Sequence, residues 1–388
     1  MWWRVFRSKY ARDLSLGTAL ALTTLGFILF PKECVAAAKT GLELCYNVII
    51  PSLLPFFVLA SLVVDLGLAG YLGRALEGFM RPLFRVGGAC ASALALGFVG
   101  GYPVGARTAI SLYQQGMCTR TEAQRMLAFC NNSGPAFILG VVGAGVFSSS
   151  RVGLLLYFTH MLASCLVGMV FRFYGPKEDT ARRNPPPIQA KRFSTAFTQA
   201  VTGAMSSTLN ICAFVIFFTV ILRLLALSGV LPGTAILLGK VLGPLGLTES
   251  WCQKLLTGAL ELTSGVAGLS QGGTLVGSVS MAAFMLGWAG LSIHCQTLSF
   301  LADSGLSAGT YFVGKLLHGA ISAALVWVFA RLFPLSAPVG AVLNQQVEEL
   351  SQVDFATALT GSVTLCWLVL LLFFFFAIFC RKRRKAMV

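Results

Sequence analysis

From Phe355 to Phe379 the chain carries no charged side chain, and from Val152 to Phe173 its one permanent charge is Arg172, near the far end. A helix rises about 1.5 Å per residue, so roughly 20 such residues cross a hydrocarbon layer about 30 Å thick. Comparable runs recur along the whole sequence, whose 388 residues are 56% hydrophobic and 11% charged. A soluble domain usually carries about 25% charged residues. Lipid is therefore the expected solvent for the apolar surface. The 41 glycines suit close helix packing and broken membrane helices.

The net charge of +15 sits in short loops beside apolar segments rather than in one patch interleaved with aromatics. That pattern writes membrane topology and argues against nucleic acid as a partner. The 11 cysteines form no CxxC pair and mostly lie inside apolar runs, as reduced packing residues do. The sequence has no Walker loop, no His-Glu-x-x-His and no supported Ser/His/Asp set, and its three histidines argue against a metal site. The chain reads as no enzyme and as needing no cofactor.

Arg4, Arg7, Lys9 and Arg12 precede a first apolar run, Leu14 to Phe30. Ala36-Ala37-Ala38 could imitate a signal-peptidase site, but Pro31-Lys32-Glu33 intervenes, so an uncleaved anchor is expected. A run from Asn47 to Leu72 contains Pro51 and Pro55, which predict a kink. Two short apolar pieces, Ala89 to Val99 and onward to Gln114, flank Gly100-Gly101-Tyr102-Pro103 and predict a re-entrant hairpin, with Arg107, Arg120 and Arg125 on its exit path. Thr119 and Glu122 have capping-box spacing and predict a helix that breaks at Asn131-Asn132-Ser133-Gly134-Pro135 and continues to Phe147. Val152 to Phe173 is a plain span, followed by a polar linker around Pro185-Pro186-Pro187.

The second half repeats this plan. A span from Thr202 to Leu227 leads to a second hairpin around Glu261-Leu262-Thr263-Ser264-Gly265. A broken span from Leu275, interrupted between Gly287 and His294, a span from Phe312 to Phe333 and the last run follow. Basic loops mark the N-terminus, the Arg74 to Arg85 loop, the linker and the C-terminal Arg381 to Lys385 as cytoplasmic; Pro334 to Asp354 has no Lys or Arg and belongs outside. The predicted fold is an all-α polytopic membrane protein of about eight transmembrane helices and two re-entrant hairpins, arranged as an inverted repeat with broken helices. It divides into a cytoplasmic tail with a first span (1–39), a first repeat (40–174), a cytoplasmic linker (175–195), an inverted second repeat (196–335) and an external loop, last span and basic cytoplasmic tail (336–388).

Breaks inside a membrane free backbone groups that lipid cannot satisfy, so they belong where a solute or water meets them. The candidate substrate-binding residues are Gly100, Gly101, Tyr102, Pro103, Arg107, Asn131, Asn132, Ser133, Glu261, Thr263, Ser264, Gly265, Ser292, His294 and Gln296. Half-helix N-termini there would offer donors to an anionic or carbonyl-bearing solute. A carboxylate at the bilayer centre costs about 2.5–3.5 kcal/mol, so Glu261 should bind substrate, couple transport to H+ or Na+, or pair with Arg107 or Lys254. Asp65 and Arg223, near span ends, are expected to snorkel. The expected partners are the bilayer and a small polar solute, with a second copy or another membrane protein also open.

Pro51-Ser52-Leu53-Leu54-Pro55-Phe56-Phe57, Arg81-Pro82-Leu83-Phe84, Gly100 to Ala106, Glu122 to Phe129 and Asn131 to Pro135 together resemble the YlbJ (SpoVV) sporulation integral membrane protein family. Glu261 to Gly265 and Gly287 to Ser292 fit the same pattern. That family falls in the nucleoside-recognition or Gate-domain group, similar to the core of concentrative nucleoside transporters, and the resemblance makes each half a Gate-like repeat. It implies a transporter-like role in endospore formation, in a mother-cell-derived forespore membrane, with dipicolinate passage as the task. A dianionic aromatic acid would suit half-helix N-termini and Arg107. A nucleoside solute, or a non-transporting assembly or scaffold role in the spore envelope, is the alternative.

Overall fold

The computed structural model describes residues 9–66, 76, 78–176, 192–270, 274–302, 304–333, 360 and 364, all in helices and their connections with no strand among them. The core of the central linker, the beginning of the Arg74 to Arg85 loop and the expected last span, apart from Thr360 and Thr364, lie outside the described residues. Helix α1 (Lys9–Leu29) turns through 99° at Phe30 into α2 (Pro31–Leu44). Pro31 sets that corner, because its ring cannot continue α1 while its missing N–H is harmless at the start of α2. A π-helical turn, Cys45–Ile49, then leads into α3 (Ile50–Asp65). This wider turn is the kink expected ahead of Pro51, which has no N–H to give the regular ladder.

Helix α4 (Gly78–Phe84) bends by 96° into the first hairpin, whose arms are α5 (Ala91–Gly100) and α6 (Val104–Gln114). The capping box is present at the start of α7 (Arg120–Phe129). Thr119 Oγ1 accepts from the Glu122 amide at 3.2 Å, and Glu122 returns a carboxylate oxygen to the Thr119 amide at 2.8 Å. Its other oxygen accepts from the Gly87 amide at 2.6 Å, which ties the hairpin's entrance to α7. Arg125 is buried rather than placed on a basic exit path, and it donates to the carbonyls of Arg85, Tyr174 and Pro176. Residues 130–135 then break the helix before α8 (Ala136–Val146), which is π-helical, and α9 (Ser150–Phe171) follows.

The second half comprises α10 (Phe193–Leu227), α11 (Val230–Leu242) and the hairpin arms α12 (Glu249–Leu260) and α13 (Leu262–Ala267). Then come α14 (Leu275–Trp288), α15 (Leu291–Leu301) and α16 (Ala308–Leu332). The break between α14 and α15 is confined to Ala289 and Gly290, both at positive φ. Arg223 of α10 donates to the carboxylate of Glu33 on α2, with Nε at 2.9 Å, so it is ion-paired rather than simply snorkelling.

Four helices among the described residues are long and apolar enough to cross a membrane, or six if each bent pair counts as one span. Their polarity is distributed for lipid. Leu20 and Leu237 are 69% and 63% exposed, whereas Lys315, His160, His318 and Asn131 are fully buried. A water-soluble bundle would reverse this. With lipid on the outside, helices associate through close van der Waals packing and interhelical hydrogen bonds rather than the hydrophobic effect. Helix α16 packs along both α14 and α9, and the contacts between halves are reciprocal: α6 of the first hairpin meets α15, and α13 of the second meets α8.

Candidate functional site

The first hairpin and the first break lie backbone to backbone. A Cβ added at Gly97 or Gly105 would stand 1.8 or 1.9 Å from the carbonyl oxygen of Cys130, so only glycine allows both arms to close on it. At the tip, Gly101 has φ +73° and packs on Gly134. This places Gly100 and Gly101 as buried spacers, Pro103 as part of the turn, and Tyr102 as the side chain projecting onward. The Tyr102 hydroxyl donates to the carbonyl of Leu286 on α14 at 2.6 Å.

The break exposes three polar residues, all buried. Asn131 Nδ2 donates to Thr297 Oγ1 on α15 at 3.2 Å, and Asn132 Nδ2 donates to the Phe129 carbonyl at 3.0 Å. The Ser133 amide donates to His160 Nε2 at 3.0 Å. The Asn131 carbonyl, freed by the break, accepts from Lys315 Nζ on α16 at 2.8 Å. Lys315 also donates to the Tyr102 hydroxyl at 2.8 Å and faces His318 Nδ1 at 3.4 Å. His318 Nε2 in turn lies 2.9 Å from the His160 carbonyl, with the two imidazole rings 4.3 Å apart. Among the described residues, no carboxylate is a partner of Lys315.

On the second side, Glu261 is buried at the start of α13, where its oxygens accept from the amides of Thr263 at 2.9 Å and Ser264 at 2.6 Å. It thus caps the half-helix whose donors were expected to face a solute, and neither Arg107 nor Lys254 supplies those bonds. Gly265 seats α13 on Gly258 of α12. His294 Nδ1 lies 2.9 Å from the Tyr311 hydroxyl, which is 3.3 Å from Thr297 Oγ1. Asn131, Thr297, Tyr311 and His294 therefore form one polar chain from the first break to α15. Ser292 and Gln296 are buried on the same helix. Arg107 does not join them: it is exposed, with its guanidinium 5.7 Å from the Phe300 ring centroid.

Four buried polar atoms in this region have no partner: Asn131 Oδ1, Asn132 Oδ1, His160 Nδ1 and His294 Nε2. Unpaired buried groups are costly, and these four leave hydrogen-bonding capacity at the crossing that a polar solute could use. Lys315, His318, His160, Tyr311 and Thr297 were absent from the residues picked out by sequence. The signal existed for two of them: Lys315 and His318 stand three apart on one helical face inside an apolar run, and an intramembrane ionisable residue marks function by default.

Residues 47–177 match the family model described as Gate, nucleoside recognition, a stretch that holds the first hairpin, the first break and His160. The sporulation integral membrane protein YlbJ of Bacillus subtilis (strain 168) is 30% identical over 364 residues, which cover 89% of either protein. The chain belongs to the YlbJ family of sporulation integral membrane proteins. As a YlbJ-family chain it is an integral membrane protein, and its fold is that of a transporter. Two outward-facing structures of variants of CNTnw, a concentrative nucleoside transporter, superpose on it with TM-scores of 0.54 and 0.52. They cover 85% and 86% of this YlbJ-family chain and 88% and 89% of the other, at 14% and 15% identity.

Proposed function

We propose that this chain is a secondary transporter or facilitator for a small polar, anionic solute, held at the bilayer midplane where the two breaks and the hairpin tips converge. One observation carries the reading: the side-chain nitrogen of Lys315 is fully buried at that crossing and, among the described residues, meets only neutral groups. Burying an ion without a counter-charge costs several kcal/mol, which folding alone gives no reason to accept. An anion passing about 8 Å from it would gain roughly 2 kcal/mol at an effective dielectric of about 20. Dipicolinate, the dianion implied by the family resemblance, has the right charge. The reciprocal contacts of α6 with α15 and of α13 with α8 support an inverted repeat, with about eight spans and both termini cytoplasmic as loop charge suggests.

A nucleoside-type solute is the second reading. The four unpartnered atoms are amide oxygens and imidazole nitrogens, a neutral set suited to the donors and acceptors of a base or ribose. Uptake of labelled dipicolinate and of nucleosides into proteoliposomes decides between them. Dipicolinate uptake that is blocked in Lys315→Met supports the anionic reading, and nucleoside uptake alone replaces it. Uptake of neither sinks transport and leaves an assembly role in the membrane.

A further inference from the structure

We propose that the Lys315 ammonium is a resident cation, standing in the first helix break where a coupling ion would otherwise bind, so that this chain's transport is not driven by sodium. The inference rests on the transport reading above. Transporters with broken helices hold Na+ on the carbonyls that unwinding releases. Here such a carbonyl, that of Asn131, accepts from Nζ of Lys315 at 2.8 Å.

The surroundings of that nitrogen are built for one positive charge. An ammonium has three protons to donate, and three acceptors converge on it: the Asn131 carbonyl, the Tyr102 hydroxyl and His318 Nδ1. Two of them, Tyr102 and His318, are oriented by a bond on their far side. Tyr102 gives its own proton to the Leu286 carbonyl, which turns the hydroxyl lone pairs toward Lys315. The His160 carbonyl can only accept, so His318 carries its proton on Nε2 and presents the bare Nδ1 to the ammonium. His160 receives the Ser133 amide on Nε2 and is held as the other neutral tautomer. The Tyr102 ring adds a face 4.8 Å from Nζ.

These acceptors come from the hairpin tip, the break and α16, and their supports from α14 and α9. A mobile ion would need the same parts. The two buried carboxylates nearest in the chain to these elements are engaged elsewhere, Glu122 on the amides of Gly87 and Thr119 and Glu261 on those of Thr263 and Ser264. Among the described residues nothing negative offsets a second cation beside the ammonium, and like charges in a low dielectric exclude one another.

The test uses the purified full-length chain and two readouts. In thermal unfolding at fixed ionic strength, the wild type should be indifferent to replacing choline with Na+. Lys315→Ala, which vacates the nitrogen's place, should gain about 3 °C or more in Na+ or in propylammonium. Lys315→Met, which fills the same volume with apolar atoms, should gain nothing from either. In proteoliposomes, wild-type dipicolinate uptake should agree within about twofold between inward Na+ and choline gradients, a difference equivalent to well under one unit of log affinity. Wild-type stabilisation by Na+, Na+-driven uptake, or a folded Lys315→Ala that ignores both cations overturns the proposal. If Lys315→Ala does not fold, the wild-type measurements still decide. If no solute is taken up, the transport reading fails by itself, while the thermal arm rules on the cation.

Discussion

Lys315 Nζ donates to the backbone carbonyl of Asn131 across 184 residues of sequence, at 2.8 Å. This bond ties α16 to the first helix break, and two opposing energies set its value. Replacing Lys315 with Met orphans three acceptors at about 1–3 kcal/mol each, but it also removes an ammonium whose burial costs several kcal/mol. The terms nearly cancel. Lys315→Met should therefore change unfolding by less than about 2 kcal/mol while lowering solute uptake at least about tenfold. Parallel thermal unfolding and uptake assays check this, and a folded variant that transports at the wild-type rate would refute it.

Gly97 and Gly105 grip the Cys130 carbonyl from both arms of the first hairpin. A methyl at either position lies far inside contact distance of backbone, which cannot give way as a side-chain tip would. Gly97→Ala or Gly105→Ala should cost more than about 3 kcal/mol, in the range of severe overpacking, and abolish a monodisperse peak in detergent chromatography. Gly203→Ala, with nothing within 4 Å of the added carbon, is the matched control and should elute as wild type.

Glu261 spends both carboxylate oxygens on the amides of Thr263 and Ser264. Glu261→Gln keeps one acceptor and turns an NH2 toward the other amide. The loss expected is that of a helix cap, about 1–2 kcal/mol, localised to the second hairpin. Hydrogen exchange should accelerate in α13 and stay unchanged in α7. Uniform destabilisation would mean that the carboxylate has a wider role.

Arg223 and Glu33 join α10 to α2 with side chains 46% and 43% exposed. A pair so open is worth under about 1 kcal/mol. Arg223→Ala should leave unfolding within that limit and uptake within about twofold, because the pair is remote in contacts from the polar chain at the crossing. A larger coupling in a Glu33→Ala, Arg223→Ala double-mutant cycle would show that this corner bears on the transport site.

The features readable from sequence are those made by neighbours in the chain. Thr119 and Glu122 predicted a capping box because its bonds span three residues, and the box is present. Gly100 to Pro103, Asn131 to Pro135 and the Gly287 to His294 stretch predicted interruptions because glycine and proline act on their own backbone. Each interruption appears, the last narrowed to Ala289 and Gly290. Hydropathy likewise marked the long apolar helices. Helical phase was not legible, and the tertiary structure alone decided it. On α16 the sequence can show that Lys315 and His318 share one face, but nothing local says that this face meets the backbone of Asn131. The same ambiguity concealed that Arg107, two residues beyond a buried glycine, lies on the outer face of α6 against Phe300. Lipid demands only that polar groups be satisfied somewhere inside. Which groups satisfy one another depends on how the helices rotate and pack, and that information is long-range.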